Sequence, residues 1–132
     1  MRIATSARIE AGSPGTRHAS LLGMTTARIL VVGAGADGRA LAELLALHGF
    51  EVAEVTQRHA AGVARAWMPD TVVAEATMPE LEGRLLAEQL AAIAPRPRTI
   101  VISPRPSHAL DALGVTCLAK PIDVERLLEL AA

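Results

Sequence analysis

Aromatic residues are almost missing from this 132-residue chain: one Trp, one Phe and no Tyr. Proteins that stack single-stranded bases build their platforms from such rings, so that function class is excluded. Charge of one sign is missing too. A formal net charge of -1 leaves no basic stripe to attract nucleic acid or an anionic membrane. The single cysteine, Cys117, permits neither an intramolecular disulfide nor a multi-cysteine metal site, and it suits a reducing, cytoplasmic setting. No apolar run approaches the roughly 18 residues of a membrane span. Arg2 is followed by no apolar stretch of secretory type. Lysine is nearly missing as well: 12 arginines stand beside one lysine, Lys120, placed directly before Pro121.

What is present is a large apolar fraction, 51% of the residues, enough for a real core. Residues 1–26 are rich in Gly, Ser, Thr and Ala, with scattered Arg and no period. They read as a flexible N-terminal extension ahead of one domain, residues 27–132. In that domain short apolar runs alternate with helical patterns. The runs are 29–32, 52–55, 71–74, 99–102 and 115–119, rich in Val and Ile as strands buried on both faces should be. Between them, Leu41, Leu44, Leu45 and His48 keep helical spacing, and Gly49 closes that helix. Ala60, Val63, Ala64 and Trp67 repeat it until Pro69. Leu86, Leu90 and Ile93 form a third stripe; Val124, Leu127, Leu128 and Ala131 form a fourth behind Asp123.

Alternating strands and helices imply a parallel sheet covered on both faces. Five strands in this length predict an α/β three-layer sandwich of flavodoxin-like order 2-1-3-4-5. Ligands of such sheets bind beyond the C-terminal strand ends at the switch point, so Gly33, Glu75, Ser103 and Lys120 are the positions to inspect.

Three stretches carry a resemblance. "PDTVVAEATMPELEG" (69–83) ends a strand in Glu75 and turns through Met78 and Pro79. "TIVIS" (99–103) ends a strand in Ser103. "GVTCLAKPIDVERLLEL" (114–130) holds Lys120-Pro121 before the last helix. In this order and spacing, residues 27–132 resemble the CheY-like receiver domain of two-component response regulators. The resemblance implies a phosphoacceptor aspartate after the third strand, an acid pair after the first that holds Mg²⁺, and a Ser/Thr and a Lys that bind the phosphoryl group. Such chemistry needs an in-line nucleophile and cationic cover for the equatorial oxygens.

This chain departs from that pattern. Glu75 occupies the phosphoacceptor-equivalent position. Gly33 and Ala34 occupy the acid-pair positions, and Asp37 comes at the wrong spacing. Ser103, Lys120 and Pro121 remain as the phosphate-site equivalents. The aromatic switch position falls near Cys117, Pro104 follows Ser103, and the fourth helix, around 107–113, is expected to be truncated. One carboxylate makes a poor Mg²⁺ cage. The expectation is therefore an atypical, degenerate receiver that takes no phosphate, needs no metal or cofactor and turns over no substrate. Glu75 then stands as a fixed charge paired with Lys120. The plainer alternative is a solvated strand-end acid.

A rival reading starts from Gly33, Gly35 and Gly38, a G-x-G-x-x-G between strand and helix that also resembles the opening of a Rossmann domain. It would make the chain a small nucleotide- or NADP-binding domain, with Arg58 near a 2′-phosphate. Against it, about 105 residues are short for two βαβαβ halves, and Lys120-Pro121 has no part in it. Ser103, His108 and Asp111 lack the nucleophile elbow of a hydrolase, and the four histidines show no metal spacing.

By the same resemblance, a partner face would include Arg105, Leu110, Leu113, Val115 and Cys117. The partners expected are signalling proteins acting in trans, such as a histidine kinase, a phosphotransfer protein or a regulator, or a second copy of the chain as a homodimer.

Overall fold

The computed structural model describes residues 2–5, 27–33, 35–76 and 79–132. Ala34, the turn at Met78 and most of the expected extension lie outside them. Strand β1 spans Arg2–Thr5, β2 Arg28–Val32, β3 Glu51–Val55, β4 Thr71–Glu75, β5 Arg98–Ser103 and β6 Val115–Ala119. The helices are α1 (Ala36–Leu47), α2 (Ala60–Trp67), α3 (Pro79–Leu90) and α4 (Val124–Ala131). Short 3₁₀ helices lie at Gln57–His59 and His108–Leu113. The five strands from Arg28 onward form a parallel sheet in which the order is β3-β2-β4-β5-β6. Counted from Arg28, that is the order 2-1-3-4-5.

One element was not expected. Arg2–Thr5 pairs antiparallel with β3, from Arg2 opposite Glu54 to Thr5 opposite Glu51, and makes the sheet six-stranded. The flexible-extension reading is therefore corrected for these four residues. A four-residue piece has no measurable period, and its pairing rests on the backbone of β3 rather than on its own pattern. It covers an edge that would otherwise present unpaired N–H and C=O groups.

The two faces of the sheet follow strand alternation. Leu30, Val32, Ala53, Val55, Val72 and Ala74 meet α2 and α3 through Ala60, Ala64, Trp67, Leu86 and Leu90. Ile29, Val31, Val52, Val73, Ile100 and Ile102 meet α1 and α4 through Leu41, Leu45, Leu127 and Ala131. Each buried Leu or Ile side chain contributes about 1.5–3 kcal/mol. The last strand, β6, is only half-buried, as an edge should be.

The helix ends follow local chemistry. Gly49 at φ 94 lets the chain leave α1, with Phe50 N–H reaching back to the Leu45 carbonyl at 3.3 Å. Asp123 caps α4 by accepting the Arg126 N–H at 3.1 Å. The expected fourth helix is reduced to the 3₁₀ turn His108–Leu113, which buries Leu110 against Val101, Ala87 and Val115. Gly83 makes this fit: a Cβ there would lie 2.7 Å from Leu110 Cδ1.

A charged cluster sits inside the opposite end of the sheet. The Arg28 side chain is 2% exposed, donates to Glu51 Oε2 at 3.3 Å and to the Trp67 carbonyl at 2.8 Å, and lies over the Trp67 ring. The Arg28 backbone N–H donates to Asp70 Oδ2 at 2.8 Å. These contacts bind β2, β3 and the end of α2 together.

Candidate functional site

Parallel strands place their C-terminal ends on one rim, and β4 and β6 end there in Glu75 and in Lys120, just past Ala119. The two strands flank β5, so side chains reaching over its end can meet. They do: Lys120 Nζ donates to Glu75 Oε2 at 2.7 Å. The Glu75 side chain is 14% exposed and that of Lys120 31%, so the contact is partly shielded from water. The hydrogen bond to Glu75 holds the Lys120 amine above its ordinary value. The charges of Glu75 and Asp37 add to this, and partial burial opposes it.

Ser103 ends β5 between them and is fully buried. Its Oγ accepts the Arg105 N–H at 3.1 Å, and its carbonyl accepts the Lys120 N–H at 3.0 Å. The serine thus braces its own loop and the start of the β6–α4 connection. Pro121 follows Lys120 through a cis peptide and is exposed.

Gly33 follows β2 and donates its N–H to the Val55 carbonyl at 3.0 Å. Asp37 stands in the first turn of α1, exposed, and lines one recess with Glu75 and Lys120. Asp37 lies off the acid-pair spacing, yet it is an acid in the first turn of a helix that starts at the switch point. Mg²⁺ does not fit this donor set. It wants several hard oxygens in an octahedron, whereas Gly33 supplies no carboxylate and one Glu75 oxygen is bonded to an ammonium. Among the described residues no three His, Cys, Asp or Glu converge.

The glycine loop has the backbone of a tight turn: Gly35 at φ 93 precedes α1, and Gly38 sits 3.7 Å from the Gly33 carbonyl carbon as measured from an added Cβ. Yet Asp37 places a negative charge where a phosphate would approach the helix start.

Other candidates separate. His108 Nδ1 lies 3.5 Å from Asp111 Oδ2, both exposed, while Ser103 is turned to Arg105 and joins neither. His59 contacts Thr56 at 3.2 Å beyond the end of β3, with three strands between β3 and the β6 that carries Cys117. Cys117 is half-buried and accepts the Ser107 N–H at 3.4 Å. The partner face needs correction. Leu110 and Val115 are 0% and 1% exposed and belong to the core, because the shortened segment folds down over Gly83 rather than standing out as a helix. Only Arg105 of the five is exposed; Leu113 and Cys117 are half-buried. Among the described residues the exposed large apolar side chains are instead Leu47 on α1 and Leu81 and Leu85 on α3.

A scan against protein-family models finds no match, and neither does a search of curated proteins. Solved structures do match. A CheY-like response regulator receiver domain from Methylobacillus flagellatus is similar at 23% identity and TM-score 0.69, over 81% of this chain and 99% of that one. The pseudo-receiver domain of the CikA protein is similar at 22% identity and TM-score 0.62, over 80% and 93%. A response regulator from Burkholderia pseudomallei, solved with a phosphorylated aspartic acid and a calcium ion, is similar at 22% and 0.67, over 80% of this chain and 66% of that one. At these identities the likeness establishes the fold, that of CheY-like receiver domains.

Proposed function

We propose that this receiver-fold domain serves two-component-type signalling as a phosphorylation-independent protein-interaction module, with Glu75 at the phosphoacceptor position. The observation that carries the reading is the 2.7 Å contact from Lys120 to Glu75. In the chemistry of a receiver, that lysine would neutralise a phosphoryl group; here its ammonium is already engaged by a carboxylate. The Ser103 Oγ accepts the Arg105 N–H, which fixes the hydroxyl against its own loop and leaves its O–H as a donor. The cation that would meet a phosphoryl oxygen thus already has a protein partner. The charge mimicry is partial, about -1 against roughly -2 for a phosphate. It holds one arrangement of the β4, β5 and β6 ends without a metal and without chemistry.

The partner in this reading is a signalling protein bound constitutively: a histidine kinase, a phosphotransfer protein or a regulator. Pull-downs from the source organism test it. Glu75→Gln and Glu75→Ala should weaken capture of the partner by more than a few-fold. Unchanged capture by both variants would leave Glu75 a strand-end acid with no signalling role.

A further inference from the structure

Beside the Glu75–Lys120 pair, a recess of about 350 Å³ opens between α1 and the β6–α4 connection. That volume falls in the range of small-molecule sites. Its walls are apolar, with Leu41 and Leu44 from α1 facing Ile122 and Val124. Its ionisable groups are Asp37, Glu75 and Lys120. Two carboxylates against one ammonium leave a charge of -1 over an apolar floor. Lys120 is committed to Glu75 Oε2, and Oε1 accepts no hydrogen bond among the described residues. Asp37 is exposed and engages no hydrogen bond or ion pair among the described residues. An anionic ligand would meet that carboxylate, and a neutral one would leave it unanswered. The complementary guest is a small organic cation with an apolar body.

We propose that this recess binds an amphipathic amine, with its ammonium beside Asp37 and Glu75 Oε1 and its apolar body against Leu44 and Ile122. The site does not depend on the receiver reading. It would, however, give the fixed pair an input, because a bound ammonium competes with Lys120 for Glu75.

Three probes with one body test it: phenylbutylamine, phenylbutanol and phenylbutyrate, titrated into the ¹⁵N-labelled full chain. The amine should move the amides of Leu41, Leu44, Ile122 and Val124 in one saturating process. It should bind about fivefold tighter than the alcohol, near the upper range for a solvent-exposed ion pair, and the butyrate should bind weakest. Asp37→Asn changes an exposed side chain, so its spectrum should stay folded while the preference for the amine over the alcohol falls severalfold. High salt should reduce the same preference. Equal binding of amine and alcohol, shifts centred elsewhere, no saturation at millimolar amine, or a preference that survives Asp37→Asn would each overturn the assignment.

Discussion

Breaking the Glu75–Lys120 contact tests whether it is a designed pair or two charges that happen to be near. At 2.7 Å the bare Coulomb attraction at an effective dielectric of 20 is about 6 kcal/mol. Most of that is cancelled by the cost of stripping water from both groups. Solvent screening discounts the remainder, since the lysine is 31% exposed. A charge-assisted hydrogen bond of this partial burial nets about 1–2 kcal/mol. A double-mutant cycle with Glu75→Gln, Lys120→Met and the double variant, each unfolded in urea, should return a coupling energy of that size. The pH dependence gives a second reading of the same pair. The lysine is raised above its ordinary value of 10.5 in the folded chain. Its contribution is therefore fully present below pH 10.5 and is lost as pH rises through the raised folded value. The stability gap between wild type and Lys120→Met should stay constant from pH 7 to 10 and close above that. A coupling under about 0.3 kcal/mol, within the error of additive sites, or a gap that is flat through the alkaline range, would refute the reasoning.

The buried Arg28–Glu51 pair, both side chains under 3% exposed, predicts a large single-variant penalty. Arg28→Met or Glu51→Leu should each cost about 3–5 kcal/mol in chemical denaturation, and the double variant should cost less than their sum. Gly83→Ala gains about 1 kcal/mol of helix propensity but forces a methyl to 2.7 Å from Leu110 Cδ1, an overpacking cost of about 1–3 kcal/mol. A net loss near 1 kcal/mol is expected, with amide shifts concentrated at residues 108–113. NADPH, NADH and free nucleotides should leave the melting temperature unchanged, because Asp37 opposes a phosphate at the start of α1. A clear upward shift with any of them would restore the dinucleotide reading.

The parallel strands were legible to within a residue because each holds a short stretch of buried apolar residues, Val52, Ala53 and Val55 in β3 and Val- or Ile-rich runs in the others. Strands of that kind need nothing beyond their own composition to be seen. The Glu75–Lys120 contact was legible for a related reason: topology puts both residues on one rim, and a lone lysine near a lone strand-end acid leaves few other partners. The Arg28 cluster was not legible. Its contacts lie 23 to 42 residues apart in the chain, and an arginine ahead of an apolar run looks like an exposed strand start. The burial of Leu110 was hidden by the same kind of distance. It depends on the missing side chain at Gly83, on a helix that precedes it by an entire strand. The short strand Arg2–Thr5 carries no pattern of its own and could be found only from the open edge of β3.

The most direct test of the central claim is phosphoryl transfer itself. Wild type, Glu75→Asp and a variant that combines Glu75→Asp with Gly33→Asp and Ala34→Asp are incubated with acetyl phosphate and Mg²⁺ and resolved by phosphate-affinity electrophoresis. Wild type should show no shifted band. Glu75→Asp alone should show none either, because no acid pair stands after β2 to hold the metal. A shifted, acid-stable or hydroxylamine-sensitive band in the wild type would contradict the account, whichever residue carries the phosphate.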